Sequence, residues 1–221
     1  MSRHLIDLLD DLKTRVARMS ALVQHIVEQS IQAVRDADAE LAQRTIASDA
    51  RIDEEEIKVE QACIDLLALH QPAAGDLRLI TTVIKVNNDL ERIADCAVNC
   101  AQRVLPLASS GGYQPPPDLR LMATTVVGNL RDALKSFNLG DIELARQVVR
   151  NDDAVDALYH QIVQDMLGRM QSGTASRNAS AELAYVMVAK NLERIADHCT
   201  NLAEDVIYIH TGRIVRHRHA G

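Results

Sequence analysis

The hexapeptide Leu-Glu-Arg-Ile-Ala-Asp occurs twice, at Leu90–Asp95 and at Leu192–Asp197. Each copy sets a glutamate and an aspartate four residues apart, Glu91 with Asp95 and Glu193 with Asp197, which on a helix puts both on one face. Two aspartate pairs share that spacing, Asp49 with Asp53 and Asp152 with Asp156. Paired carboxylates offer charged oxygen donors, the ligand type that hard or borderline cations prefer. Like charges one turn apart repel by only about 0.2–0.5 kcal/mol per pair, so the pattern is tolerable without a ligand. If the acidic stripes of neighbouring helices meet, four carboxylates converge on a cation site. If they do not, they form a solvated face balanced by Arg51, Lys85, Arg92 and Arg194. Spacing alone leaves both readings open.

The repetition is wider than the hexapeptide. Asp38-Ala39-Glu40-Leu41-Ala42, then Asp49 and Asp53, returns as Asp141-Ile142-Glu143-Leu144-Ala145, then Asp152 and Asp156, at an offset of 103 residues. Past the hexapeptide, Asn99, Ala101 and Val104 return as Asn201, Ala203 and Val206 at an offset of 102. One structural unit is therefore built twice, with one residue lost between the blocks.

The elements that position the acids follow from apolar periodicity. Leu5, Leu8, Leu12, Val16, Met19, Val23, Ile26, Ser30 and Val34 alternate by threes and fours, which predicts a first helix ending near Asp36. A second helix starts at the capping residue Asp38 and carries Leu41, Ile46, Ile57, Ile64 and Leu67 inward before the break at His70-Gln71-Pro72. A third opens at Gly75-Asp76, with Leu77, Ile80, Val83, Val86, Leu90, Ile93, Ala97 and Val104 on its inner side. Glu91, Asp95, Asn99 and Asn88 share an arc of about 80° opposite that apolar face, so the carboxylates turn outward. Glu56 and Glu60 extend the acidic stripe of the preceding helix.

Pro106 to Pro117 is rich in both helix-breaking residues and reads as an inter-domain linker. Helices of about 118–138, 141–171 and 180–212 then repeat the order, with Gly140 ending one and Asp141 capping the next. The expected fold is all-α, two tandem antiparallel three-helix bundles related by an internal pseudo-twofold. The first covers residues 1–108 and the second 118–212, with a linker at 109–117 and a basic tail at 213–221. Two similar halves on a flexible linker suggest lobes that meet different partners or change their relative angle.

Composition narrows the functions. With no Trp, one Phe and four Tyr, base stacking has little to work with, and a net charge of −7 opposes a phosphate backbone. No apolar run approaches the ~18 residues of a membrane span, and the acidic N-terminus is unlike a signal peptide; the expected location is the cytoplasm. Cys63, Cys96, Cys100 and Cys199 form no Cys-x-x-Cys pattern and read as buried, reduced thiols.

The run His70-Gln71-Pro72-Ala73-Ala74-Gly75-Asp76-Leu77-Arg78-Leu79-Ile80, leading into Asp89 and the first hexapeptide and followed by the second, closely resembles the PhoU family, from the first helix to Tyr208. That resemblance implies two three-helix bundles and an adaptor that negatively regulates the phosphate-starvation response, linking a phosphate ABC transporter to a sensor histidine kinase, with no catalytic activity. The implied partners are the sensor histidine kinase, the transporter's ATPase subunit and a second copy in a homodimer, with the membrane reached only through them. Metal clusters on acidic pairs in some members map onto Glu91 and Asp95, Glu193 and Asp197, Asp49 and Asp53, and Asp152 and Asp156. Iron, zinc, manganese and magnesium are all compatible with such a site.

Departures from the family pattern matter. Ala94 and Ala196 stand where glycine is frequent. The second half is poorer in acid: Tyr159 and Val163 replace Glu56 and Glu60, and Lys190 stands where the first half has Asn88, so its cation site is expected to be the weaker. His198 lies about 100° from Asp197 on the wheel and suits a hydrogen bond better than a ligand role. The basic tail Arg216-His217-Arg218-His219 reads as a frayed end or, less readily, as a contact for the transporter or anionic lipid. A carboxylate-bridged diiron enzyme is disfavoured because no Glu-x-x-His occurs. A passive helical tether without metal is the remaining alternative.

Overall fold

The computed structural model describes residues 3–108, 114–171 and 179–214. Among the described residues are seven α-helices and no strand: α1 (Arg3–Asp36), α2 (Ala39–Ala47), α3 (Ala50–His70), α4 (Ala74–Ala108), α5 (Pro117–Leu139), α6 (Ile142–Gln171) and α7 (Ala179–Thr211). Helices α1 to α4 pack as one three-helix bundle, α2 and α3 together forming its middle helix, and α5 to α7 pack as the second. Most of the expected linker, residues 109–113, and the basic tail from 215 onward lie outside the described residues.

Each half turns its first corner in the same way. The N–H groups of Leu41 and Leu144 donate to Asp38 Oδ1 and Asp141 Oδ1 at 2.9 and 3.0 Å, satisfying amides that a helix start would otherwise leave open. The residue before each cap is left-handed, Ala37 at φ 51° and Gly140 at φ 67°. Only the second half uses the residue that tolerates this conformation freely.

Three local features differ from the sequence reading. The single helix expected from Asp38 to His70 is divided at Ser48–Asp49. The Ser48 hydroxyl donates to the Thr45 carbonyl at 2.7 Å, and its N–H is shared between the Arg44 and Thr45 carbonyls, which tightens the chain locally. Asp49 stays right-handed (φ −58°, ψ −44°), so the division is a bend that leaves Asp49 and Asp53 one turn apart. Second, Ile57, Ile64 and Leu77, read as core positions, are 63%, 48% and 42% exposed. Helix α3 carries apolar residues on two faces, and only the row Ile52, Val59, Cys63 and Leu66 is covered in the packing with α1 and α4. Third, Pro106, read as the start of the linker, lies inside α4, whose last turn keeps Leu107 in the core.

Helices α4 and α7 are the centre of the molecule and make its most extensive helix pair. Hydrogen bonds and ion pairs join Lys85 to Asp205, Asp89 to His198 and Cys100 to Val188, so the two helices run antiparallel. Seven residues along from the Cys100–Val188 contact, Ile93 falls opposite Ile195, its own equivalent in the repeat, and both are fully buried. The internal pseudo-twofold therefore passes between these isoleucines. Ala94, Ala97, Ala196 and Ala203, all buried, keep the surrounding surface small enough for close approach. Apolar burial is continuous from one bundle to the other. The two bundles thus share a core and are not joined through the linker alone.

The unequal corners give opposite predictions. Replacing Ala37 by Gly relieves left-handed strain and should raise stability by about 0.5–1 kcal/mol. Gly140→Ala forces that strain and sets a Cβ 2.8 Å from His210 Nε2, so it should lower the melting temperature by several degrees; denaturant titration of both variants measures the two signs.

Candidate functional site

In the first half the acidic stripes of α3 and α4 meet. Burial together with the charges of Asp53 and Asp95 pushes the Asp49 carboxyl above its ordinary range. Burial, Glu60 and Asp53 do the same to Glu56, against the pull of Arg92. Glu91 is raised by burial and by Asp95, again opposed by Arg92, with Glu56 adding to the rise across the helix pair. Asp49, Asp53, Glu56, Glu60, Glu91 and Asp95 thus repel one another in overlapping pairs, with Arg92 opposing Glu56 and Glu91; among the described residues no three of them bring ligand oxygens within 4.8 Å of one another. Arg92 Nη1 donates to Asp95 Oδ2 at 3.2 Å. Its Nε lies 3.2 Å from Glu91 Oε2 but out of hydrogen-bond alignment, and that buried oxygen has no hydrogen bond. A buried acceptor without a donor is costly unless something supplies charge.

The second half gathers its acids more tightly than the sequence suggests. Ligand oxygens of Asp156, Glu193 and Asp197 all lie within 4.8 Å of one another, bringing α6 and α7 to a common point. Burial, then Glu193, Asp152 and Asp156, push the Asp197 carboxyl up to about 6, with Lys190 working in the opposite direction. All four expected acids of this half therefore share one field. Of the two residues that replace Glu56 and Glu60 here, Tyr159 sets the centre of its ring 5.2 Å from Lys190 Nζ.

Both sets are all-oxygen and drawn from two helices, with Asp53, Glu60 and Asp197 exposed and the two glutamates more sheltered. The side chains of Glu91 and Glu193 are 19% and 15% exposed, so they sit between helices more than on an open face. This donor set fits a hard or borderline cation, which would remove the mutual repulsion and satisfy Glu91 Oε2.

Between the two sets His198 takes the hydrogen-bonding role that its wheel angle favours, with a partner, Asp89, that the sequence reading did not single out. His198 Nδ1–H donates to Asp89 Oδ1 at 2.8 Å, and Asn201 Nδ2 reaches the same oxygen at 3.4 Å. Asp89 is 7% exposed, held in the α4–α7 seam. Its wheel angle, at the edge of the apolar arc, was the one available signal. The four cysteines are buried and unbridged. Burial pushes Cys63 up to about 12 and Cys96 to about 11 and raises Cys100 and Cys199 further, so none is a thiolate suited to ligation or redox work.

The raised Asp197 carboxyl has a consequence for stability. The folded protein keeps a proton there that the unfolded chain has released, so ionised Asp197 is a penalty present above about pH 6 that fades as the pH falls toward 4. In metal-free protein, Asp197→Asn should therefore raise the melting temperature by a few degrees at pH 7.5, about 1 kcal/mol after solvent screening, and by much less at pH 4.5. Thermal melts at the two pH values read this difference; an equal gain at both would place its origin elsewhere than in charge.

A family model described as the PhoU domain matches residues 16–104 and again 119–206. A PhoU homolog of Aquifex aeolicus, named a phosphate-specific transport system accessory protein, is 37% identical over 211 residues, covering 96% of this chain and 95% of that protein. The corresponding protein of Pseudomonas aeruginosa is 35% identical over 213 residues, covering 95% and 86%. A crystal structure of PhoU from Pseudomonas aeruginosa superposes with a TM-score of 0.87 at 33% identity, covering 94% of this chain and 99% of that one. That of the phosphate transport system regulatory protein PhoU from Streptococcus pneumoniae gives 0.87 at 26% identity, covering 95% and 98%. These relatives are named as accessory or regulatory proteins of a transport system and not as enzymes. Among the described residues no helix is long and apolar enough to cross a membrane. With both repeats matched and the whole helical architecture shared, this chain belongs to the PhoU family.

Proposed function

We propose that this protein is a cytoplasmic accessory subunit that negatively regulates phosphate uptake and phosphate-starvation signalling, and that it binds metal ions on its paired acids. Support for the transport role comes from relatives that carry that name along nearly the whole chain. The observation that carries the metal reading is the convergence of the duplicated acids, most closely at Asp156, Glu193 and Asp197. Asp49, Asp53, Glu91 and Asp95 would hold a cation in the first half, and Asp152, Asp156, Glu193 and Asp197 in the second. Iron, zinc, manganese and magnesium all suit carboxylate oxygens, and a bound ion would supply positive charge that ties the two helices of each site together.

The protein's own residues then set how it signals. One core spans both bundles, so a change at one acidic face is passed through the α4–α7 seam and not through a loose hinge. The proposed partners are the ATPase subunit of a phosphate ABC transporter and a sensor histidine kinase, met as a homodimer. With few aromatic anchors on the surface, these contacts are expected to be reversible.

Two measurements test this. Affinity capture from phosphate-replete and phosphate-starved cells, read by mass spectrometry, should retain the transporter ATPase or the kinase; recovery of neither under both conditions would sink the adaptor role. Metal analysis after metal-free purification and reconstitution should show that Glu91→Ala with Asp95→Ala lowers bound metal to the share held by the second half while helical circular dichroism is unchanged. Unaltered metal content would remove the first-half site from the proposal, and a melted variant would show that these acids support the fold.

A further inference from the structure

The two acidic sites are not filled alike by the protein itself. In the second half Lys190 Nζ bonds both oxygens of Glu193, each at 2.7 Å. The same ammonium stands 5.2 Å from the centre of the Tyr159 ring, within cation–π range. Both residues are departures from the first half, where the equivalent positions are Asn88 and Glu56. They change together and meet in space. One exchange brings in a cation, and the other replaces a carboxylate with a ring face that helps hold it.

The ammonium sits on the group that a metal would need. Glu193 is the member of the Asp156, Glu193 and Asp197 cluster that Lys190 grips, and all three acids lie within 4.8 Å of one another. Lys190 thus opposes the charge of the converging acids here, as Arg92 opposes Glu56 and Glu91 in the first half. Arg92 approaches its acids differently, with one hydrogen bond to Asp95 and no aligned bond to Glu91. We infer that Lys190 is a tethered cation occupying the second-half carboxylate site, which a metal ion must displace from Glu193, so that this lysine lowers the site's affinity for metal. The inference rests on the reading of the paired acids as cation ligands. Lys190 is thus an affinity-setting residue of the second-half site.

The test uses the full chain and Mn²⁺ as probe, followed by calorimetry and by electron paramagnetic resonance of the free ion. The unaltered protein is titrated first. Glu91→Gln with Asp95→Asn then removes the first site, and binding that survives a further Asp156→Asn is subtracted as unrelated to either. On that background Lys190→Gln should tighten second-half binding at least tenfold, and Lys190→Arg should leave it weak. Equal or weaker binding in Lys190→Gln, with first-half binding intact in the unaltered protein, overturns the role of Lys190 and leaves the metal reading standing. Absence of Mn²⁺ binding in the unaltered protein and in every variant overturns both.

Discussion

The antiparallel contact of α4 with α7 is the constraint from which the rest of the molecule follows. Each of these helices is central to its own bundle, and each is also the surface on which the other bundle is built. They are therefore buried on more than one side, which is why polar residues such as Asn87, Asp89 and Asp205 occur among their buried positions. Small alanines near Ile93 and Ile195 let the backbones approach, and the pair of isoleucines marks where the two repeats exchange. With the central helices pinned face to face, their outer faces are left for the acids.

This arrangement explains why the hexapeptide carries both structural and chemical residues. Leu90, Ile93 and Ala94 go inward, and Leu192, Ile195 and Ala196 do the same in the second copy. Glu91 with Asp95, and Glu193 with Asp197, stand on the side that meets the middle helix of their bundle. The acids are crowded because the core brings the helices together. Apolar burial of the many side chains in the shared core, worth about 25 cal/mol per Å², readily outweighs a few carboxylate repulsions. What remains is a set of raised carboxyl groups and one buried oxygen of Glu91 that lies 3.2 Å from Arg92 Nε without an aligned hydrogen bond.

The repeat is symmetric in backbone and asymmetric in charge. Asp89 pairs with His198 across the seam, while the equivalent positions hold Asn191 and Cys96. An arginine opposes the acids of the first half; a lysine held between Glu193 and a tyrosine ring opposes those of the second. Duplication thus supplies two similar places, and substitution at a few positions gives them different electrostatics.

Much of this was legible in the residues themselves. The repeated acidic hexapeptide, the caps at Asp38 and Asp141, the helical periods and the twofold plan are local or periodic features, and the 3.6-residue repeat converts them directly into faces. Three things were not legible there, two of them because tertiary packing decides them. Helix α3 has two apolar rows, and nothing local says that Ile52 and Val59 are covered while Ile57 and Ile64 are not; the neighbours α1 and α4 make that choice. The bend at Ser48 depends on a hydroxyl competing for backbone carbonyls, which composition does not weigh. Whether the acids meet, and that Lys190 and Tyr159 close on Glu193, are relations between separate helices. A sequence assigns each acid to a face of its own helix, but only packing brings two such faces within reach, because the distance between helices is set by the side chains in the core and not by the acids.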